Sequence, residues 1–357
     1  MSRGEVNHLT GPSMFIGVNS DDIISFGSGQ PDLPPPDNVF KVLPNFTSFK
    51  YGPIQGQRHL MEALALEHNV PPENVVITNG ASEAIDLCFS TLLKPGDRVL
   101  LTKPYYYAYP RLVEINKGVP TYTRLVKGKI DLEDFRRGVE GCKAVLVNSP
   151  GNPTGSVQSP KILSEIEKVC NDLKVYLIFD EVYCNLIYEG EHYSPRGEYV
   201  VNVNSFSKTF AMCGLRVGYL YSDNDELIRS IVEQKTYKSM NTSILSQEMA
   251  YEALKAPKSF IKKHLDIWRR RRDLIYKGLL ELGFDLWKPE GAFYVFPRVE
   301  KPGEMVWNLY KHYKVITYLG EWFGVEDRIR LSYALDARKI EEGLKRIKKY
   351  LTESSTS

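Results

Sequence analysis

Sulfur chemistry has little to work with in this chain. Its five cysteines stand apart at positions 88, 142, 170, 184 and 213, an odd number with no Cys-x-x-Cys pair. That spacing argues against a disulfide framework and a zinc site, and for reduced thiols. The six histidines show no His-Glu-x-x-His or comparable ligand spacing, so no metal centre is expected. Charge of one sign is also missing: Lys and Arg total 46 and Asp and Glu 44, a net charge of +2. Such a balance gives no strong pull toward nucleic acid or an anionic membrane. No apolar run reaches membrane-spanning length, and the N-terminus lacks the charged-then-apolar pattern of a secretory signal. There is no internal repeat and no helix-turn-helix pattern. These absences lead to the expectation of a cytoplasmic protein without nucleic-acid or membrane partners.

What is present is ordinary globular material, 43% hydrophobic and 25% charged. A length of 357 residues suits two domains better than one small core. After an irregular, Pro-rich start (Pro31, Pro34 to Pro36), continuous apolar runs alternate with helical patterns. Strands are expected at Val75–Thr78, Val99–Leu101, Ala144–Val147, Val175–Phe179 and Val200–Val203. Helices are expected through Ala84, Leu87 and Leu92 and over 160–172. Continuous rather than alternating apolarity suits strands buried on both faces, and strands separated by helices imply an α/β, doubly wound, mostly parallel sheet. From about residue 255 long amphipathic helices dominate. The expected division is a large domain over 39–254 and a smaller α+β domain built from 1–38 and 255–357. One helix there carries Phe260, Ile261, Leu265, Trp268, Ile275, Leu279 and Leu282 on its apolar side, and its run Arg269 to Arg272 reads as a solvated face. The final helix repeats Ile340, Leu344, Ile347 and Leu351, with a disordered tail expected from Glu353.

Ligands of an open parallel sheet sit beyond the carboxyl ends of its strands. Polar signatures follow the predicted strands at those ends: Thr78-Asn79-Gly80-Ala81-Ser82, Asn148-Ser149-Pro150-Gly151-Asn152-Pro153-Thr154-Gly155, Asp180-Glu181-Val182-Tyr183 and Ser205-Phe206-Ser207-Lys208-Thr209. Each alone has a plain reading as a turn, an N-cap or a solvated lysine. In this order, together with the continuation Phe210-Ala211-Met212-Cys213-Gly214-Leu215-Arg216-Val217-Gly218-Tyr219, with Gly27-Ser28-Gly29-Gln30-Pro31-Asp32 near the start and with Arg328-Ile329-Arg330-Leu331-Ser332-Tyr333 near the end, they are far more specific. Over nearly its whole length the chain resembles the fold-type I pyridoxal-5′-phosphate (PLP) aminotransferases, the class I/II family that includes aspartate aminotransferase.

The resemblance implies the chemistry. Lys208 would carry the cofactor as an imine and then serve as general base and acid at the substrate α-carbon. Asp180 would face the pyridine nitrogen, while Asn152 and Tyr183 would donate to the O3′ phenolate. Gly80, Ala81 and Ser82 open a helix whose N–H groups would receive the phosphate, and Ser205, Ser207 and Arg216 would add contacts. Tyr106 would stack on the ring, and Tyr51 would reach the phosphate of a neighbouring subunit, implying a homodimer with shared sites. Arg330 would grip the substrate α-carboxylate, helped by Asn152 and the Gly29 backbone. The plainer alternatives are an aromatic cluster for Tyr106, a loop tyrosine for Tyr51 and a structural salt bridge for Arg330.

Two positions depart from the family pattern. Glu83 stands where many relatives carry an uncharged amide, unhelpful near a phosphate unless it points away. Ser82 stands where some aspartate-preferring relatives carry a basic residue, and no second arginine is identified for a distal carboxylate. The expected activity is ping-pong transfer of an amino group between an L-amino acid, aspartate among the candidates, and a 2-oxo acid such as 2-oxoglutarate. A PLP lyase or decarboxylase, of the C–S lyase or threonine-phosphate decarboxylase type, is the alternative in chemistry. A PLP-binding regulator without activity is the alternative in class.

Overall fold

In the computed structural model, residues 11–15, 18 and 22–354 are described. Among them the main sheet has eight strands, in the spatial order Val75–Thr78, Gly218–Ser222, Val200–Ser205, Tyr176–Asp180, Ala144–Asn148, Arg98–Lys103, Val119–Val126 and Lys129–Ile130. The four strands from Val200–Ser205 to Arg98–Lys103, and Val119–Val126 beside them, run parallel. Gly218–Ser222 is antiparallel to both of its neighbours, and Lys129–Ile130 closes an edge hairpin. Every strand and helix expected from the apolar runs is present within a few residues, so the α/β, mostly parallel architecture stands.

Three strands of this sheet were not anticipated, the short Lys129–Ile130 among them. Gly218–Ser222 lies inside the lysine segment, where motif rather than periodicity drew the reading. Val119–Val126 sits next to the sheet edge with only Thr123 buried, so it lacks the continuous apolar signature.

Helices cover both faces of this sheet. The strands Val75–Thr78, Val200–Ser205 and Gly218–Ser222 are buried at every position. Leu87, Phe89, Ile228 and Ile231 pack with Val76, Val203 and Leu220, while Phe135, Leu163 and Ile166 pack with Val145 and Leu177. Each such side chain contributes roughly 1.5–3 kcal/mol of transfer free energy. Register then decides what meets at the carboxyl edge. Asn148 pairs with Asp180, and Gly218 lies between Thr78 and Ser205.

A further cluster joins the N-terminal segment to the C-terminal part: Ile24 and Phe26 pack among Trp268, Ile275, Val306, Ile340 and Ile347. Ile24–Ser25 pairs in parallel with Val315–Ile316, and the strand Ile329–Ser332 lies between Tyr294–Val295 and Tyr318–Leu319.

The helix Lys258–Glu281 corrects the reading of its basic run. Arg271 and Arg272 are buried. Arg271 forms a two-pronged pair with Asp32 at 2.6 and 3.0 Å. Arg272 meets Glu189, Asp273 and the Pro289 carbonyl, its guanidinium 5.1 Å from the Tyr188 ring centroid. The reason is helical spacing: positions 268, 271, 272, 275 and 279 share one face. The arginines therefore continue the apolar stripe rather than opposing it, and buried guanidinium groups persist only when paired. The last helix, Ala337–Ser354, runs through Glu353, which accepts from Tyr313. The remaining tail, 355–357, lies outside the described residues.

Candidate active site

The carboxyl edge of the main sheet and the C-terminal part enclose a cleft of about 820 Å³. Ala81, Ser82, Tyr106, Asn152, Asp180, Tyr183, Ser205, Ser207, Lys208, Arg216, Gly29 and Arg330 all line it. Lys208 sits on a single helical turn, Phe206–Thr209, at the end of the strand Val200–Ser205. The Ser205 hydroxyl caps that turn by accepting from the Ser207 N–H at 3.0 Å, and it bonds the Ser207 hydroxyl at 2.9 Å. Lys208 Nζ donates to the Gly29 carbonyl at 2.8 Å and lies 5.8 Å from the Tyr183 ring centroid.

Asp180 and Glu181 are consecutive at a strand end, so they turn to opposite sides. Asp180 enters the cleft. It accepts from the Tyr109 hydroxyl at 2.6 Å and from the Val182 N–H at 3.2 Å. Burial pushes its carboxyl up to about 6 despite those bonds. Glu181 faces away, accepting from Tyr221 and Ser194 and pairing with His192. Burial works against its charge, yet those partners hold it below the ordinary carboxylate range.

The helix Ala81–Leu92 opens at Gly80, whose φ of 84° suits glycine. A Cβ there would stand 2.5 Å from Arg216 Nη2. Arg216 donates to the carbonyls of Cys213 at 3.0 Å and Asn79 at 3.4 Å. First-turn N–H groups, two serine hydroxyls and this guanidinium thus converge at one end of the cleft.

At the other end, Arg330 is buried on the strand Ile329–Ser332. Its Nη1 donates to Asn152 Oδ1 at 2.9 Å and its Nη2 to the Gly27 carbonyl. The guanidinium carbon lies 4.6 to 4.8 Å from the rings of Tyr294, Tyr318 and Phe323. Nε is buried with no partner among the described residues. A salt-bridge role does not match this set, because the partners found are neutral.

Tyr106 lines the cleft beside Tyr107 and Tyr109, with ring centroids 4.6 and 5.4 Å away. Tyr51 is 83% exposed and lies outside this cleft. Glu83 points away, toward Asn79 and Lys235. Three participants were missed. Tyr109 bonds Asp180; its spacing of three from Tyr106 at a helix start was the available signal. Tyr294 bonds the Tyr183 hydroxyl at 2.8 Å, and Asn148 holds the Asn152 N–H at 2.8 Å. Asn148 did carry a signal, since it directly follows a predicted strand and opens the polar stretch through Asn152, but no role was assigned to it; Tyr294 carried none, because its bond joins distant segments.

A lysine poised at a strand end, a buried acid, an anion cup and an arginine fork on an α/β sheet define an enzyme of amino-group chemistry. The comparisons agree. The model of the family "Aminotransferase class I and II" matches residues 21–347. Aspartate/prephenate aminotransferase of Thermus thermophilus is 31% identical over 375 residues, covering 95% of this chain and 96% of that one. The solved aspartate aminotransferase of Thermotoga maritima superposes with a TM-score of 0.89 at 29% identity, over 96% of this chain and 95% of that one. An aromatic aminotransferase of Pyrococcus horikoshii gives 0.88 at 30% identity, over 95% and 98%. The chain belongs to the aminotransferase class I and II family. It is a PLP-dependent aminotransferase of fold type I.

Proposed function

We propose that the enzyme moves an amino group from an L-amino acid to a 2-oxo acid such as 2-oxoglutarate by a ping-pong mechanism, with PLP held at Lys208. The cleft fits that group. Its phosphate end is a cup of donors, with glycine where a Cβ would meet Arg216. Its ring region has a buried acid below and the Tyr106 ring at the wall. Bound there, PLP supplies an aldehyde for the incoming amine and a ring that draws electrons from the substrate α-carbon.

The chain's residues do the rest. Asp180 holds a proton on the ring nitrogen, and Tyr109 fixes the orientation of that carboxylate. Asn152 and Tyr183 donate to the ring oxygen. Ala81, Ser82, Ser205, Ser207 and Arg216 hold the phosphate around Gly80. Lys208 Nζ takes and returns the proton at the substrate α-carbon. Arg330, with the Gly29 and Asn152 side of the cleft, orients the α-carboxylate through a planar fork that has a spare donor. The carrying observation is Lys208, Asp180 and Arg330 converging on one cleft.

Assay of an amino-donor panel with 2-oxoglutarate tests this. Oxo-acid-dependent turnover with conversion of the cofactor to its amine form is expected. Release of ammonia or CO2 without an acceptor would replace the reading with a lyase or decarboxylase. Aspartate heads the panel because relatives bear that activity in their names. Phenylalanine stands beside it, because Phe15, Tyr107 and Tyr318 line the cleft while its cationic side chains are Lys208, Arg216 and Arg330.

We further propose a cytoplasmic homodimer with 39–254 as the large domain and 1–38 with 255–357 as the small one. Exposed Tyr51 then reaches the partner's phosphate cup. Mixing inactive Lys208→Ala chains with Tyr51→Phe chains should create one site per mixed dimer free of both lesions and raise the rate. A monomer in sedimentation, or no gain on mixing, would refute the sharing.

A further inference from the structure

Glu83 departs from the family pattern, and the structure shows what it does instead. Its Oε2 accepts from the Asn79 N–H at 2.5 Å and from Asn79 Nδ2 at 3.0 Å. The same oxygen meets Lys235 Nζ at 3.2 Å. Lys235 comes from the helix Asp225–Lys238 and is 0% exposed. Its other partner is the Ser239 hydroxyl at 3.0 Å. On the far side of Asn79 stands Arg216, which donates to the Asn79 carbonyl and crowds Gly80. The Asn79–Gly80 turn is therefore clasped between a buried ion pair and the guanidinium of the phosphate cup.

Electrostatics makes the arrangement consequential. A carboxylate in the first turn of a helix is favourable to the helix alone. Next to a bound phosphate it subtracts from the positive potential that the N–H groups and Arg216 create. An unpaired carboxylate or ammonium in that interior would also be strongly unfavourable. Lys235 cancels the charge of Glu83 and leaves its hydrogen bonds to Asn79 in place. Burial pushes the Glu83 carboxyl up, but Ser239, Asn79 and Lys235 together hold it below the usual range.

We propose that Lys235 is a positioning residue for the cofactor phosphate. It neutralises Glu83 and, through Glu83, fixes the Asn79–Gly80 turn against Arg216, so that the cup favours a phosphate-bearing ligand. This rests on the PLP reading above. The readout is the ratio of dissociation constants for pyridoxal and PLP, titrated into full-length enzyme from which the cofactor has been resolved. Both ligands share the aldehyde and ring, so the ratio isolates the phosphate.

Lys235→Met should lower the ratio on the order of 10-fold, by leaving Glu83 uncompensated. Glu83→Gln should raise it severalfold, and the double variant Glu83→Gln/Lys235→Met should return it near the wild-type value. An unchanged ratio in Lys235→Met, or a double variant as poor as the single, overturns the proposal in favour of a purely structural pair. Should Lys235→Met not fold, Glu83→Gln alone decides: a raised ratio supports the proposal, an unchanged or lowered one overturns it. Wild-type enzyme that binds neither ligand would instead defeat the PLP reading itself.

Discussion

The two ends of the cleft are built in different ways. The cofactor end comes from strand ends along one edge of a single sheet: residues 79–82, 180–183 and 205–208 each deliver several contacts from a few adjacent positions. The substrate end is assembled from far-apart segments. Gly27 and Arg330 are bonded across a separation of 303 residues, and Tyr294, Tyr318 and Phe323 close around the same guanidinium. One end is set by sheet register, the other by how the N-terminal segment and the C-terminal part pack. Damage at the first should erase chemistry regardless of substrate. Damage at the second should depend on what the substrate carries.

The largest effect is expected at Lys208. Lys208→Ala should lower transamination on the order of 10⁴-fold for every donor, the upper range for a positioned acid–base group. Borohydride reduction and peptide mapping of the wild type should find the cofactor on Lys208. An adduct elsewhere would move the centre of the site.

Asp180→Asn should retain cofactor yet lose about 10³-fold in rate, again for all donors, as for loss of a preorganised charge in a dry site. It also has a pH signature in the cofactor-free protein. The folded carboxyl is raised to about 6. The unfolded chain therefore ionises more readily, and the charged group disfavours folding above that pH. As pH falls through 6, Asp180 protonates in the folded state first and relative stability rises. The gain, roughly 3 kcal/mol at most, levels off once the unfolded carboxyl is protonated as well. Denaturant titrations at pH 7.5 and 5 should show about half of this gain, on the order of 1.4 kcal/mol, in wild type and lose it in Asp180→Asn. Equal pH slopes would mean that the buried acid is already compensated.

The smallest effect, and the selective one, is expected at Arg330. Arg330→Lys keeps the charge but not the fork, and should cost about 2–3 kcal/mol in kcat/KM for amino-acid donors. Cofactor absorbance should be unchanged, and a primary amine without a carboxylate should suffer much less. Equal losses for both donor types would erase the distinction between the two ends.

This asymmetry also explains what was legible in the sequence. Continuous apolar runs marked the strands, and polar residues just beyond them marked the cofactor end. The helical stripe of 258–281 is visible too, but periodicity cannot show that Arg271 and Arg272 are buried, because their partners, Asp32 and Glu189, lie in other segments. Tyr294 was missed for the same reason, since its partner Tyr183 is 111 residues away. Local periodicity reports which face of an element is buried; it does not report which distant group completes a hydrogen bond across the gap. Tyr109 lies between these cases, since helical spacing placed it beside Tyr106 but only strand register placed Asp180 beneath it.

The Asp32–Arg271 pair has a mechanical side. It rivets the N-terminal segment carrying Gly27 and Gly29 to the helix 258–281, whose Trp268 and Ile275 share a core with the strand that bears Arg330. Gly27, Arg330 and that helix therefore form one stiff jaw. Lys208 is mounted on the opposite jaw, at the rim of the main sheet, and its bond to the Gly29 carbonyl spans the gap. A tilt of the helix against the sheet would change the distance from Arg330 to Lys208 and load the bond from Arg330 to Asn152, which spans the same gap. The two sides of the cleft are thus tied at several points, by Nζ to Gly29, by Arg330 to Asn152 and by Tyr183 to Tyr294.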